Sequence, residues 1–380
     1  KFKQEMKDDN DPFAFGWSCG EMSCITPNIM PELFLGNANG TWERSSYLLI
    51  DNRKNAGIRH AKVHVADFNG DGIKDFWFND DKADESGRVS SNQSRWSGFR
   101  DSYYLSQPNG TWLESSDTHL NKVVNDFSHA GVAGDINGDG WIDMLSGTSG
   151  KHVDCWINIG DGVMKYRKCV DGAASFLIDL ADFDGDGDLD MYTTQQENSN
   201  QPGRPKISCN DGNGWFRICK DMKEYNKGDY DWVGVGGVRS WDFDNDGDQD
   251  MIQMRFRDLY VGVAMEIKEN LGNMNFNSEL TVLMSGPTKE VFDKLTTEAN
   301  RWNKYFQLQL HDVNDDGLMD VIFYDGKSGL YDNTIWLNKG NLQFELIKKN
   351  DKNNPMKQIR VSQTNYKETA SAEILQIVEN

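Results

Sequence analysis

Apolar residues come in short runs broken by Gly, Asn and Asp, and none of these runs approaches the length that crosses a bilayer. One arrangement recurs six times: a short apolar stretch, a Gly/Asn turn, then an aromatic residue. The copies are LFLGNANGTW ending at Trp42, YLSQPNGTW at Trp112, WINIGDGVMKY at Tyr166, ISCNDGNGWF at Phe216, IKENLGNMNF at Phe276 and IWLNKGNLQF at Phe344. Asn-Gly and Gly-Asn turns between apolar segments are hairpin signals, so each copy predicts two antiparallel strands whose aromatic packs between sheets.

A second arrangement alternates with the first. It reads DFNGDGIKD (Asp67 to Asp75), DINGDGWID (Asp135 to Asp143), DFDGDGDLD (Asp182 to Asp190), DFDNDGDQD (Asp242 to Asp250) and DVNDDGLMD (Asp312 to Asp320). Each copy is followed by a short β-like run: Phe76 to Phe78, or runs beginning at Met144, Met191, Met251 and Val321. One unit is then a strand, an acidic loop, a strand and a hairpin. Four strands in such a repeat make a propeller blade, and the expected fold is an all-β β-propeller.

Six hairpins against five loops leave the N-terminal hairpin short of two strands, which the C-terminal segments 357–362 and 372–378 could supply. Six blades are therefore expected, or seven if residues 1–30 and the tail make a blade of their own. On this reading residues 1–30 are an N-terminal extension. Residues 31–380 form one propeller, closed by C-terminal strands that leave no open edge.

The acidic loops carry the candidate chemistry. A hard cation takes six to eight oxygens, and this loop offers side chains at positions 1, 3, 5 and 9 and a main-chain carbonyl at 7. The candidate ligands are Asp67, Asn69, Asp71, Ile73 and Asp75; Asp135, Asn137, Asp139, Trp141 and Asp143; Asp182, Asp184, Asp186, Asp188 and Asp190; Asp242, Asp244, Asp246, Asp248 and Asp250; and Asp312, Asn314, Asp316, Leu318 and Asp320. Gly at position 6 lets the backbone turn around the ion. An EF-hand opens alike but needs Glu at position 12, where this chain has Phe78, Ser146, Thr193, Gln253 and Phe323. About five calcium ions are expected, with the all-Asp loops at 182 and 242 binding most tightly. Magnesium is disfavoured because it demands stricter octahedral geometry.

Composition narrows the class. The chain is 37% hydrophobic, with 36 Gly and 8 Pro, which suits short strands joined by turns. A net charge of -20 argues against nucleic acid and anionic membrane surfaces and suits bound cations. The opening residues are polar, so no signal peptide or membrane anchor is expected in the chain, as in a mature product. The cysteines form three local pairs, Cys19 with Cys24, Cys155 with Cys169 and Cys209 with Cys219. They read as extracellular disulfides, with free buried thiols as the alternative.

The loops and their spacing resemble the FG-GAP/VCBS repeats found in integrin α-subunit heads and in many secreted bacterial and algal proteins. The resemblance covers about residues 30 to 346. It implies a calcium-binding propeller serving adhesion, carbohydrate binding or, in some relatives, polysaccharide lyase chemistry.

Function is then sought where the repeat is broken. Residues 80–101 carry Arg95, Trp96, Phe99 and Arg100, a set suited to sugar stacking, although a solvated loop whose aromatics cover a blade rim is the plainer reading. Residues 284–303 have Val291, Leu295 and Ala299 at helical spacing and read as a short amphipathic helix with a packing role, Trp302 as a ligand platform being the alternative. The histidines share no spacing, and no nucleophile elbow or zinc-helix motif occurs. Sequons stand at Asn39, Asn92 and Asn109. The expected function is a secreted or cell-surface binding or adhesion module for a glycan or an extracellular protein, without membrane insertion. The alternatives are a polysaccharide lyase, or a filament or coat protomer that polymerises by strand donation.

Overall fold

The computed structural model describes residues 31–36, 42–53, 61–80, 101–122, 128–148, 152–171, 177–194, 205–222, 234–257, 261–284, 306–325, 334–347 and 351–352. They fall into two compact units, divided between Ser128 and His129. Both contain the predicted four-stranded meander, once in the first unit and four times in the second.

In the first unit β1 (Phe34–Gly36) and β2 (Trp42–Arg44) form a two-stranded hairpin. The blade that follows comprises β3 (Leu49–Ile50), β4 (Ala61–Ala66), β5 (Asp75–Asp80), β6 (Ser102–Ser106) and β7 (Trp112–Glu114), in the order β3-β7-β6-β5-β4. A short helix α1 (Ser116–His119) follows it. Strand β3 lies parallel to β7 on the outer edge, Leu49 opposite Trp112. Arg53, just beyond β3, pins it there. Its guanidinium grips Asp51 at 2.9 and 2.6 Å, and Tyr104 of β6 donates to the same carboxylate at 3.2 Å.

The second unit holds four blades, each a four-stranded antiparallel sheet in sequence order. They comprise β8 (Ser128–Gly134), β9 (Asp143–Thr148), β10 (His152–Asn158) and β11 (Met164–Asp171); β12 (Leu177–Ala181), β13 (Asp190–Thr194), β14 (Lys206–Asn210) and β15 (Phe216–Asp221); β16 (Gly234–Trp241), β17 (Asp250–Arg257), β18 (Val261–Asn270) and β19 (Phe276–Met284); and β20 (Phe306–His311), β21 (Asp320–Asp325), β22 (Thr334–Asn338) and β23 (Phe344–Ile347). In each meander the acidic loop joins the first strand to the second, β4 to β5 in the first blade.

The core of the second unit lies between successive blades, because each sheet is apolar on both faces. Ile136, Leu145 and Val153 of one blade meet Ile178, Met191 and Phe216 of the next. Phe243, Ile252 and Met265 meet Leu308, Val321 and Trp336 in the same way. The hairpin aromatics pack between sheets as expected. Phe276 stands edge-on to Phe183 of the preceding blade, and Phe344 to Phe243, both with centroids 6.1 Å apart. The second blade departs from the expected pattern. Strand register puts the buried Met164, not Tyr166, at the hairpin position, while Tyr166 packs on Trp156 and donates to Asp154.

The described residues make all-β, propeller-type blades, five in all and not six or seven: one in the first unit, a four-stranded meander with β3 added at its edge, and four four-stranded blades in the second. The N-terminal hairpin founds no sixth blade among them. It stays two-stranded, and the chain after it runs onto the outer edge of the first blade as β3. The tail segments 357–362 and 372–378 expected to complete a sixth lie outside the described residues.

Two of the three cysteine pairs are disulfides, Cys155–Cys169 and Cys209–Cys219, each tying the third strand of a blade to the fourth across a Cα separation of 5.7 Å. Cys19 and Cys24 lie outside the described residues, as do Arg95, Trp96, Phe99, Arg100, Trp302, Asn39, Asn92 and residues 1–30. Among the described residues no helix is long and apolar enough to cross a membrane.

Candidate metal centres

The five acidic loops share one construction. The carboxylate at position 1 is the hub around which the backbone folds. Asp67 accepts from the amides of Gly70 (2.7 Å), Asp71 (3.2 Å) and Gly72 (2.8 Å), and Asp135 and Asp182 repeat the set. Asp242 and Asp312 accept from positions 5 and 6. Such wrapping needs two left-handed residues. Position 6 is always Gly, with φ between +83° (Gly317) and +98° (Gly247). Position 4 is Gly70, Gly138, Gly185, Asn245 or Asp315, also at positive φ. Asn and Asp are the side chains that tolerate this region best, so the second constraint was visible in the sequence beside the first.

The loop fits a hard cation. In the all-Asp loops, oxygens of Asp182, Asp184 and Asp186, and of Asp242, Asp244 and Asp246, lie within 4.8 Å of one another. Burial, and then the neighbouring Asp186 or Asp246, pushes the Asp184 and Asp244 carboxyls above the usual range. Loops with Asn at position 3 relieve this crowding internally. The amides of Asn69, Asn137 and Asn314 donate to Asp71, Asp139 and Asp316 at 3.3, 2.9 and 2.9 Å. Positions 1, 3 and 5 could thus hold a calcium ion through oxygen, the donor set a hard cation selects. At position 7 the amides of Ile73, Trp141, Asp188, Asp248 and Leu318 donate to the position 5 carboxylate.

Position 9 is more than a ligand candidate. Asp75, Asp143, Asp190, Asp250 and Asp320 are all fully buried at the start of the second strand. One oxygen accepts from the position 2 amide of the same loop (Phe68, Ile136, Phe183, Phe243 or Val313) at 2.8 to 3.1 Å. The other accepts from the amide of the last third-strand residue (Ser106, Asn158, Asn210, Asn270 or Asn338) at 2.7 to 2.9 Å. Burial drives these carboxyls up, Asp143 and Asp250 to about 7 and Asp190 to about 6. An Asp190 oxygen also comes within 4.8 Å of one on Asp184, so the staple borders the cation set.

Those third-strand residues are a recurrent feature that reading the hairpins for aromatics missed. Asn stands at the turn of four hairpins, Asn158, Asn210, Asn270 and Asn338, with Ser106 in the fifth. All four asparagines donate side-chain amides to position 8 carbonyls of their own loops. Three also reach the position 2 carbonyl of the preceding blade's loop: Asn210 to Ile136 (2.7 Å), Asn270 to Phe183 (3.0 Å) and Asn338 to Phe243 (2.8 Å).

Residues 135–193, one loop with β9 to β12, the next loop and most of β13, match the FG-GAP-like repeat model. That stretch of the second unit is thus similar to an FG-GAP-like repeat, in keeping with the blade pattern around it. No curated protein matches it. Among solved structures it resembles the crystal structure of the V. cholerae biofilm matrix protein Bap1, at 18% identity and a TM-score of 0.26. That match covers 56% of this chain and 29% of Bap1, so the chain spans less than a third of that protein.

The loop end of the third blade shows a ligand candidate that the sequence reading passed over. Trp215, in the β14–β15 turn, is 56% exposed. The Arg167 guanidinium lies 4.1 Å from its ring and donates to the Gly214 carbonyl. By strand register the equivalent positions hold Thr111, Val163, Asn275 and Gln343, so the repeat itself does not require an aromatic here. The signal was a break in the repeat inside a string already recognised.

Among the histidines, His64 bonds Asn79 at 2.9 Å and stacks near Trp77, while His152 lies 3.3 Å from the buried Asp154. In the first blade the buried Tyr104 and the half-buried Arg53 share the Asp51 carboxylate. Of the sequons, Asn109 is exposed, and its side chain accepts from the Thr111 hydroxyl at 2.7 Å.

Proposed function

We infer that this propeller is an extracellular binding or adhesion module, held by about five calcium ions, that engages a glycan or an extracellular protein at the loop end of its blades. The observation that carries the reading is Trp215. An exposed indole backed by a guanidinium is a rigid platform, which loses little entropy when a ligand stacks on its open face. The carboxylate loops supply the calcium sites named above, and the two disulfides support an oxidising compartment. Asn109 is the glycan attachment site proposed among the described residues.

A filament or coat protomer is the second reading. It is supported by β3, which shows that the outer edge of a blade accepts a parallel strand.

A glycan-array screen of the wild-type chain and Trp215→Ala, each with calcium and with EDTA, tests the first reading. Loss of the platform is expected to weaken binding by roughly tenfold or more, the effect of about 1.4 kcal/mol, with the melting temperature unchanged. Equal binding by both proteins would remove Trp215 from the site. Concentration-dependent assembly without any glycan or protein ligand would favour the filament.

A further inference from the structure

We propose that Asn210, Asn270 and Asn338 are positioning residues that couple calcium loading of each loop in the second unit to loading of the next. The inference rests on the calcium reading of the loops and adds a connection between them.

The connection is an unbroken run of hydrogen bonds. In loop 182, Asp190 accepts from the Phe183 amide. The Phe183 carbonyl accepts the Asn270 side-chain amide at 3.0 Å. The Asn270 backbone amide donates to Asp250 of loop 242 at 2.8 Å, and its side chain also holds the Gln249 carbonyl. The Phe243 carbonyl of loop 242 then accepts from Asn338, whose backbone amide reaches Asp320 of loop 312. Asn210 makes the same link from Ile136 of loop 135 to Asp190 of loop 182. Every bridging side chain is more than nine-tenths buried, so these bonds do not exchange freely with water.

The physical consequence is a shared ordering cost. An ion held at positions 1, 3 and 5 fixes the backbone wrapped on position 1, and with it the position 2 residue that the neighbouring Asn grips. A loop whose neighbour is already loaded has less conformational freedom left to lose, and binds more tightly for that reason. By reciprocity each loop favours the other equally. The coupling runs along the chain order 135, 182, 242, 312, and one asparagine carries each step.

Hydrogen exchange of the full chain, followed by mass spectrometry over a series of free calcium concentrations, reads each loop separately. Asp246→Ala disables loop 242. The calcium needed for half-protection is then expected to rise about fivefold at loops 182 and 312, a coupling at the lower end of the usual range, with loop 67 unmoved. Adding Asn270→Ala should abolish the shift at loop 182 and leave the shift at loop 312, which Asn338 carries. If Asn270→Ala does not fold, Asn270→Asp, which keeps the shape and loses the amide donor, takes its place. Unmoved midpoints at loops 182 and 312 would overturn the coupling and leave the calcium reading standing. A shift at loop 182 that survives loss of the Asn270 amide would overturn the assignment to that residue. Absence of calcium-dependent protection in every loop would bring down both.

Discussion

Calcium removal is expected to lower the melting temperature by roughly 10 °C or more and to reverse the response of stability to pH. Each loop held at a hundredfold its dissociation constant adds about 2.7 kcal/mol to the folded state, and five loops together add roughly 13. Without the ion, the buried position 9 carboxyls govern the pH response. Asp143 and Asp250 at about 7 and Asp190 at about 6 lie above the ordinary value of 3.8. A carboxyl raised in the fold binds its proton more tightly folded than unfolded. Its stabilising contribution is full below the unfolded value and is lost as pH rises through the folded one. The metal-free chain should therefore gain stability between pH 8 and pH 5, on the order of 1–3 kcal/mol per carboxyl. With calcium bound the sign inverts, because protons compete with the ion for its ligands. Urea titrations at both pH values, with calcium and with EDTA, give the four numbers required. A melting temperature indifferent to EDTA would sink the calcium reading; a metal-free stability that falls on acidification would sink the account of position 9.

Asp250→Ala is expected to destabilise the chain by about 2–6 kcal/mol even in EDTA, since it strands the buried amides of Phe243 and Asn270 at about 1–3 kcal/mol each. Asp246→Ala in the same loop is the contrast. Asp246 is exposed and sits among carboxylates, so in EDTA its loss should change stability by no more than about 0.5 kcal/mol. In calcium both variants lose the contribution of that ion. Chemical denaturation of the two in EDTA separates staple from ligand. Equal costs would show that position 9 has no structural role apart from the metal.

The repeat was legible because everything it needs is local. Turn residues, alternating apolar runs and five copies of an Asp-rich loop specify hairpins and ion-ready turns within a few residues of sequence. Position 9 was legible only in part. Its spacing marks it as a ligand candidate, but its burial and its third-strand amide partner arise from strand pairing with residues 15 to 31 positions away. Asn270 and Phe183 are 87 residues apart, and no periodicity inside one hairpin announces that they meet. Trp215 stood in plain view as an irregularity, yet its exposure depends on which way the β14–β15 turn faces. The blade count failed for a related reason: counting hairpins assumes that each founds a blade, whereas the segment after the first hairpin joins an existing sheet edge.

What the amino-acid order determined by itself was the unit: four strands, an acidic loop after the first and a turn before the last. These follow from φ preferences of Gly and Asn, alternating burial, and carboxylates crowded within nine positions. What only the tertiary structure decided was how the units touch. Blade number, the role of the buried aspartates as staples, and the asparagine bridges between loops depend on surfaces and hydrogen bonds distant in sequence. Those contacts form only once whole sheets have stacked.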